Sequence, residues 1–112
     1  MLIANYYSNT DIRIEDRSVP QIHEGECLIK ILASGICGSD LMEWYRRGSV
    51  PLVLGHETAG EVIEVGNGVN HLKPGDRVVV SHHVPCLECR YCQRGHETMC
   101  KTLHSTTYDP GG

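Results

Sequence analysis

The sequence contains no phenylalanine and one tryptophan, and aromatic residues make up only 5% of its 112 residues. A hydrophobic core must therefore come mainly from Ile, Leu and Val. No run of basic residues is longer than the pair Arg46-Arg47, and the formal net charge is −4. This balance argues against nucleic acid or an anionic membrane as the main partner. No apolar run approaches the roughly 20 residues that a membrane-spanning helix needs.

The N-terminus also lacks the basic and apolar regions of a secretory signal peptide. Six cysteines in a secreted chain would suggest disulfide bonds, but four of these six have the spacing of a metal site. We therefore expect a reducing, cytoplasmic location.

Glycine and proline interrupt a series of short β-branched segments, which predicts a mainly β domain, a compact barrel or sandwich of short strands. The predicted strands cover residues 12–17, 27–33, 61–65 and 77–81. The first alternates as a half-buried strand does, and the second is apolar enough to be mostly buried, with Cys27 as a small core residue. One helix is predicted from Gly38 or Ser39 to Gly48.

The apolar face of this predicted helix consists of Leu41, Trp44 and Tyr45, spaced for packing against a core. Arg46-Arg47 would form a solvated helix end that complements the helix dipole.

Cys86, Cys89, Cys92 and Cys100 follow the pattern C-x2-C-x2-C-x7-C. Four thiolates at this spacing favour a tetrahedral structural zinc with no open coordination position. Free or disulfide-bonded cysteines and an iron–sulfur cluster are the alternatives. Residues 82–104 lack periodicity and are predicted to be a metal-organised loop. His96 lies inside it but is not needed, because Cys100 completes the ligand set.

A more dispersed set lies upstream, where Cys37 follows a predicted strand and His56-Glu57 follows Gly55. Adjacent residues on a strand point to opposite faces, so His56 and Glu57 can reach one metal only if the backbone bends there. Taken singly, a buried core cysteine and a structural histidine are the ordinary interpretations. His82 and His83 could approach either cluster, although a turn or a supporting role is the simpler interpretation.

The ordered combination of these motifs resembles the zinc-containing medium-chain dehydrogenase/reductases, which include alcohol, sorbitol, threonine and butanediol dehydrogenases. The resemblance covers nearly the whole chain from about residue 25. The motifs that support it are Cys37-Gly38-Ser39-Asp40, Gly55-His56-Glu57 with Gly60, Gly75-Asp76-Arg77-Val78 and the four-cysteine segment.

The resemblance implies that residues 1–112 form part of a GroES-like catalytic domain, with a structural zinc lobe at 82–104. It implies a catalytic zinc held by Cys37 and His56, with Glu57 as a direct ligand or a nearby carboxylate. Asp40 would accept the second ring N–H of His56. Ser39 would bind the substrate hydroxyl and pass its proton outward.

The activity implied is NAD- or NADP-dependent oxidation of a small alcohol or polyol, by a protein that is a homo-oligomer at full length. The family's downstream zinc ligand and a G-x-G-x-x-G nucleotide-binding motif are missing from the sequence. We therefore expect a truncated domain, without its nucleotide-binding domain, that is inactive alone. The alternative is a stand-alone zinc-binding structural or interaction module.

Overall fold

Six short strands provide most of the regular structure in residues 1–105, the part of the chain that the computed structural model describes. The strands are β1 (Leu2–Ser8), β2 (Asp11–Asp16), β3 (Cys27–Ser34), β4 (Leu52–Val53), β5 (Thr58–Val65) and β6 (Arg77–Val80). The helices are α1 (Glu43–Arg46) and α2 (Lys101–Ser105), with 3-10 turns at Gly38–Leu41, Cys92–Arg94 and Glu97–Met99. The predicted mainly β fold with short helices is confirmed. Within these residues, every helix is too short or too polar to cross a bilayer.

The strands form two antiparallel sheets, with the orders β2-β1-β4 and β3-β5-β6. Each sheet is open within residues 1–105 and keeps two edge strands. A barrel must pair its edges, so these strands alone leave the predicted barrel unclosed. The buried residues of the strands are Ile3, Asn5 and Tyr6 in β1 and Gly60 and Val62 in β5, the central strands of the two sheets.

β2 lies where the alternation predicts it, but its isoleucines are not buried. Ile14 is 68% exposed, and Ile12 borders an open cleft of ≈ 370 Å³ that it shares with Ile36 and Leu41. The half-buried positions are Asp11 and Glu15, and the Glu15 carboxylate accepts hydrogen bonds from Asn5 Nδ2 at 3.0 Å and Tyr7 Oη at 2.9 Å. The alternation therefore predicts the strand but not the face that packs.

β3 has almost the predicted bounds, but the expectation that it is mostly buried is wrong. It is an edge strand that pairs only with β5 within the described residues, and Ile31 and Leu32 are exposed. Cys27 is the first residue of this strand, lies opposite Val65 and is half-buried, so it is not in the centre of the core.

The single helix predicted for residues 38–48 is instead a 3-10 turn, a break at Met42 and the short helix α1. The hairpin between β1 and β2 contacts this break, since Asn9 Nδ2 donates to the Leu41 carbonyl at 3.0 Å and the Asn9 N–H donates to Glu43 at 3.1 Å. The predicted packing of the apolar face is wrong, because Leu41, Trp44 and Tyr45 are all exposed and Trp44 is 71% exposed.

We predict that Gly60→Ala destabilises the sheet of β3, β5 and β6. A Cβ at Gly60 would lie 2.5 Å from the Lys30 carbonyl oxygen and 2.5 Å from Ile29 Cγ2, so backbone would have to move. Such overpacking costs about 1–3 kcal/mol, measured as a loss of unfolding free energy in urea. Gly48→Ala is the matched control, because a Cβ there meets nothing within 4 Å. Equal stabilities for the two variants would contradict the prediction.

Candidate metal centres

The pairing of three strands brings distant segments of the chain to one edge of a sheet. β3 ends and β5 begins at the paired residues Ser34 and Thr58, and β6 ends at Val80, on the other side of Thr58. Cys37 comes just after β3, and His56 comes just before β5. The two predicted ligands therefore meet at this edge although 19 positions separate them in the sequence.

Cys37, His56 and Glu57 each offer a ligand atom, and these atoms lie within 4.8 Å of one another. Gly55 lies just before His56 and has φ +126°, a backbone conformation that residues with a Cβ rarely adopt. The chain also bends at Glu57, so His56 and Glu57 need not point to opposite faces as they would on a strand. Thiolate, imidazole and carboxylate from three residues are a donor set that fits zinc with one position left open. Cys37 and His56 are half-buried, and Glu57 is exposed.

Gly35 leaves room for the Glu57 side chain and was not singled out from the sequence. A Cβ at Gly35 would lie 2.6 Å from Glu57 Oε2, and the Gly35 N–H donates to the Glu57 carbonyl at 2.8 Å. A glycine directly after a strand end is the only signal that the sequence offers for this contact.

Asp40 lies beside both predicted ligands and is nearly fully buried. Its Oδ2 accepts a hydrogen bond from the Cys37 N–H at 2.9 Å. Its Oδ1 is 3.6 Å from His56 Nδ1, longer than a normal hydrogen bond. The predicted hydrogen bond from the His56 ring to Asp40 therefore stays a prediction, although the two groups are in contact.

The expectation that Arg46 is solvated is wrong. Its side chain turns inward, is only 14% exposed and donates from Nη2 to Asp40 Oδ1 at 3.0 Å. The same guanidinium donates to the Ser39 carbonyl, from Nε at 3.3 Å and from Nη2 at 3.1 Å. Ser39 is half-buried, and the proposed role of its hydroxyl toward substrate stays a prediction.

Two further imidazoles follow β6 at the same edge. The ring centre of His82 lies 4.9 Å from that of His56, and the ring centre of His83 lies 4.0 Å from that of His82. Removal from water lowers the pKa of His82, and the nearby His83 and His56 lower it further. Neither belongs to the group of converging ligand atoms within the described residues.

The four cysteines downstream converge on a second centre. The Sγ atoms lie 3.5 Å apart for Cys89 and Cys92, 3.6 Å for Cys100 and Cys86, and 4.0 Å for Cys86 and Cys92. Four sulfurs about 2.3 Å from one zinc in a tetrahedron would lie about 3.8 Å apart. The thiols are free, and these distances are too long for a disulfide. A single ion fits better than an iron–sulfur cluster, because several cluster atoms would stand between the cysteines.

The lobe thiols are in unequal environments. Hydrogen bonds from the backbone N–H groups of Cys86 and Leu103 lower the pKa of Cys100 to about 6. Burial raises the pKa of Cys92 to about 12, since a thiolate there would lose its water without a bound cation. A metal ion supplies the missing positive charge, so binding must displace the proton from Cys92.

The family model for the alcohol dehydrogenase GroES-like domain matches residues 23–112. The chain belongs to this family. Sorbitol dehydrogenase of Bacillus subtilis is 42% identical over 98% of the chain and 33% of that protein. L-threonine 3-dehydrogenase of Pyrococcus furiosus is 44% identical over 84% of the chain and 29% of that protein. The resemblance to zinc-containing medium-chain dehydrogenases is confirmed.

The solved structure of galactitol-1-phosphate dehydrogenase from Escherichia coli superposes with a TM-score of 0.83 at 36% identity. The match covers 90% of this chain and 30% of that protein. The chain therefore spans about a third of the length of these relatives.

We predict that removal of zinc exposes the lobe to proteolysis while the sheets stay folded. In the lobe, Cys92 and Cys100 are the only buried residues among those described, so little besides the metal can hold it. After chelation, trypsin should cut after the exposed Arg90 and Arg94 before it cuts after Lys30 in β3, as read by mass spectrometry.

Cys92→Ala should reproduce the chelated pattern without chelator, and Cys27→Ala is the matched control. Cleavage at Arg90 and Arg94 that is equally slow with and without zinc would contradict the prediction.

Proposed function

We propose that this chain is the N-terminal, zinc-binding part of an NAD- or NADP-dependent alcohol or polyol dehydrogenase. The observation that supports this most directly is the convergence of Cys37, His56 and Glu57 at one sheet edge in a GroES-like domain. The four-cysteine lobe, residues 82–104, would bind a second zinc that has a structural role only.

The two centres differ in the way that their roles require. The lobe offers four sulfurs, of which Cys92 and Cys100 are buried, and so leaves no position for a substrate. The upstream centre offers three ligands, and its exposed Glu57 lies on the solvent side. An alcohol can therefore approach the upstream centre and not the lobe.

Zinc in the upstream centre would supply a Lewis acid that lowers the pKa of a nearby hydroxyl, as it lowers that of water to about 7. Cys37 and His56 would hold the ion, and Glu57 would bind it or exchange with substrate. Asp40 fixes the backbone of Cys37 through its N–H. Ser39 would orient the substrate hydroxyl and take its proton toward solvent. A bound nicotinamide would supply the hydride acceptor, so an alcohol that also loses its hydroxyl proton would leave as a ketone or aldehyde.

The relatives' names support a secondary alcohol as the substrate class, because sorbitol, threonine and galactitol 1-phosphate dehydrogenases are among them. A small polyol, diol or hydroxy amino acid is therefore the first substrate class to test. The nicotinamide would be bound by a separate nucleotide-binding domain, and residues 1–112 alone would be inactive. The cytoplasmic location and the homo-oligomeric state remain predictions.

We predict that Cys37→Ala and His56→Ala each abolish alcohol oxidation by the full-length protein that contains this chain. Each change removes one of three ligands, so the upstream zinc and its Lewis acidity are lost. Formation of reduced nicotinamide from a panel of secondary alcohols should fall to the metal-free background, with the far-ultraviolet circular dichroism unchanged. Cys27→Ala, on the same sheet but outside the ligand group, should keep wild-type turnover.

Full turnover in both ligand variants would refute the dehydrogenase assignment. If wild-type protein binds zinc only in the lobe and oxidises no alcohol, the chain is instead the stand-alone zinc-binding module.

A further inference from the structure

Arg46 is a charged side chain in an unusual place for the end of a short surface helix. Only 14% of it is exposed, whereas the neighbouring Arg47 is 76% exposed and lies 3.7 Å from Glu43. Long basic side chains at helix ends normally keep their charge in water. The burial of Arg46 therefore needs a partner that compensates for the lost hydration.

That partner is the carboxylate of Asp40, whose side chain is 7% exposed. The guanidinium also binds the Ser39 carbonyl through two nitrogens, so its plane is fixed at two points. The planar guanidinium can bind the Asp40 carboxylate and the Ser39 carbonyl at the same time. A lysine ammonium on a flexible stem cannot hold both acceptors equally well.

The Asp40 carboxylate links the two predicted metal ligands. Oδ2 accepts the Cys37 N–H at 2.9 Å, and Oδ1 is 3.6 Å from His56 Nδ1. Arg46 binds the same Oδ1 at 3.0 Å. Any rotation of this carboxylate would change its contacts with Cys37 and with His56 at once, and Arg46 opposes that rotation.

We propose that Arg46 is a positioning residue of the Cys37–His56–Glu57 centre, which it preorganises by fixing the Asp40 carboxylate between Cys37 and His56. The proposal rests on the proposed function, in that this centre binds zinc. Residues that hydrogen-bond to metal ligands without binding the metal themselves change the metal affinity by about 10- to 100-fold when they are removed. Arg46→Met keeps much of the aliphatic stem and removes the fork, so it should weaken zinc at this centre by a factor in that range.

The test is zinc affinity measured by chelator competition on the full chain, with Cys37→Ala identifying which zinc belongs to the upstream centre. Zinc in the lobe serves as an internal reference and should bind as in wild type. Arg46→Lys should give an intermediate affinity, and Arg47→Met is the matched control. A second readout is hydrogen exchange of the Cys37 amide, with zinc retained in the lobe only. Exchange should be faster in Arg46→Met and unchanged in Arg47→Met.

Wild-type zinc affinity and wild-type Cys37 exchange in Arg46→Met would overturn the positioning role while leaving the zinc site in place. If Cys37→Ala itself binds as much zinc as wild type, the proposed metal centre is refuted and the positioning role is overturned with it. If circular dichroism shows that Arg46→Met is unfolded, Arg46→Lys decides by the same two readouts. An affinity equal to wild type would then overturn the proposal, and an affinity between wild type and Cys37→Ala would support it.

Discussion

The antiparallel pairing of β5 with β3 and β6 is the constraint on which the upstream centre depends. Because Ser34, Thr58 and Val80 lie side by side, the chain leaves two strands and enters the third at a single edge. Cys37, His56 and His82 are distant in sequence, and this register brings together the strand ends beside which they lie. A shift of one residue would turn every side chain of β5 to the other face. The chemistry of the centre is thus set by a backbone register rather than by local sequence.

The described part of the chain has a small core, to which the lobe contributes little. The buried apolar residues are Ile3, Tyr6, Val62, Cys92 and Cys100. Two of these five are lobe cysteines, so the hydrophobic contribution of the lobe comes largely from its own ligands. Metal binding and folding are coupled where no site exists in the unfolded chain. A zinc bound by the four cysteines would therefore order the lobe, whereas strand pairing orders the sheets.

The sequence could predict those features that depend on short-range pattern. Alternation and turn residues locate β2, β3 and β6 within a residue or two, and cysteine spacing identifies the lobe. Features that depend on which side chains are buried by distant segments of the chain could not be predicted. β1 has no clear pattern, Ile14 and Leu32 are exposed, and the helix at 38–48 breaks where Asn9 binds it. Burial is decided by neighbours distant in the sequence, so local hydrophobicity is a weak guide to it.

Arg46 illustrates the same limit at the candidate site. From the sequence, two adjacent arginines at a helix end look equivalent, and both would be solvated. In the folded chain Arg46 faces Asp40, whereas Arg47 faces solvent. A buried carboxylate without a cation would be costly, and a buried cation without a carboxylate equally so. Each therefore requires the other, and their pairing fixes the carboxylate that contacts both candidate ligands.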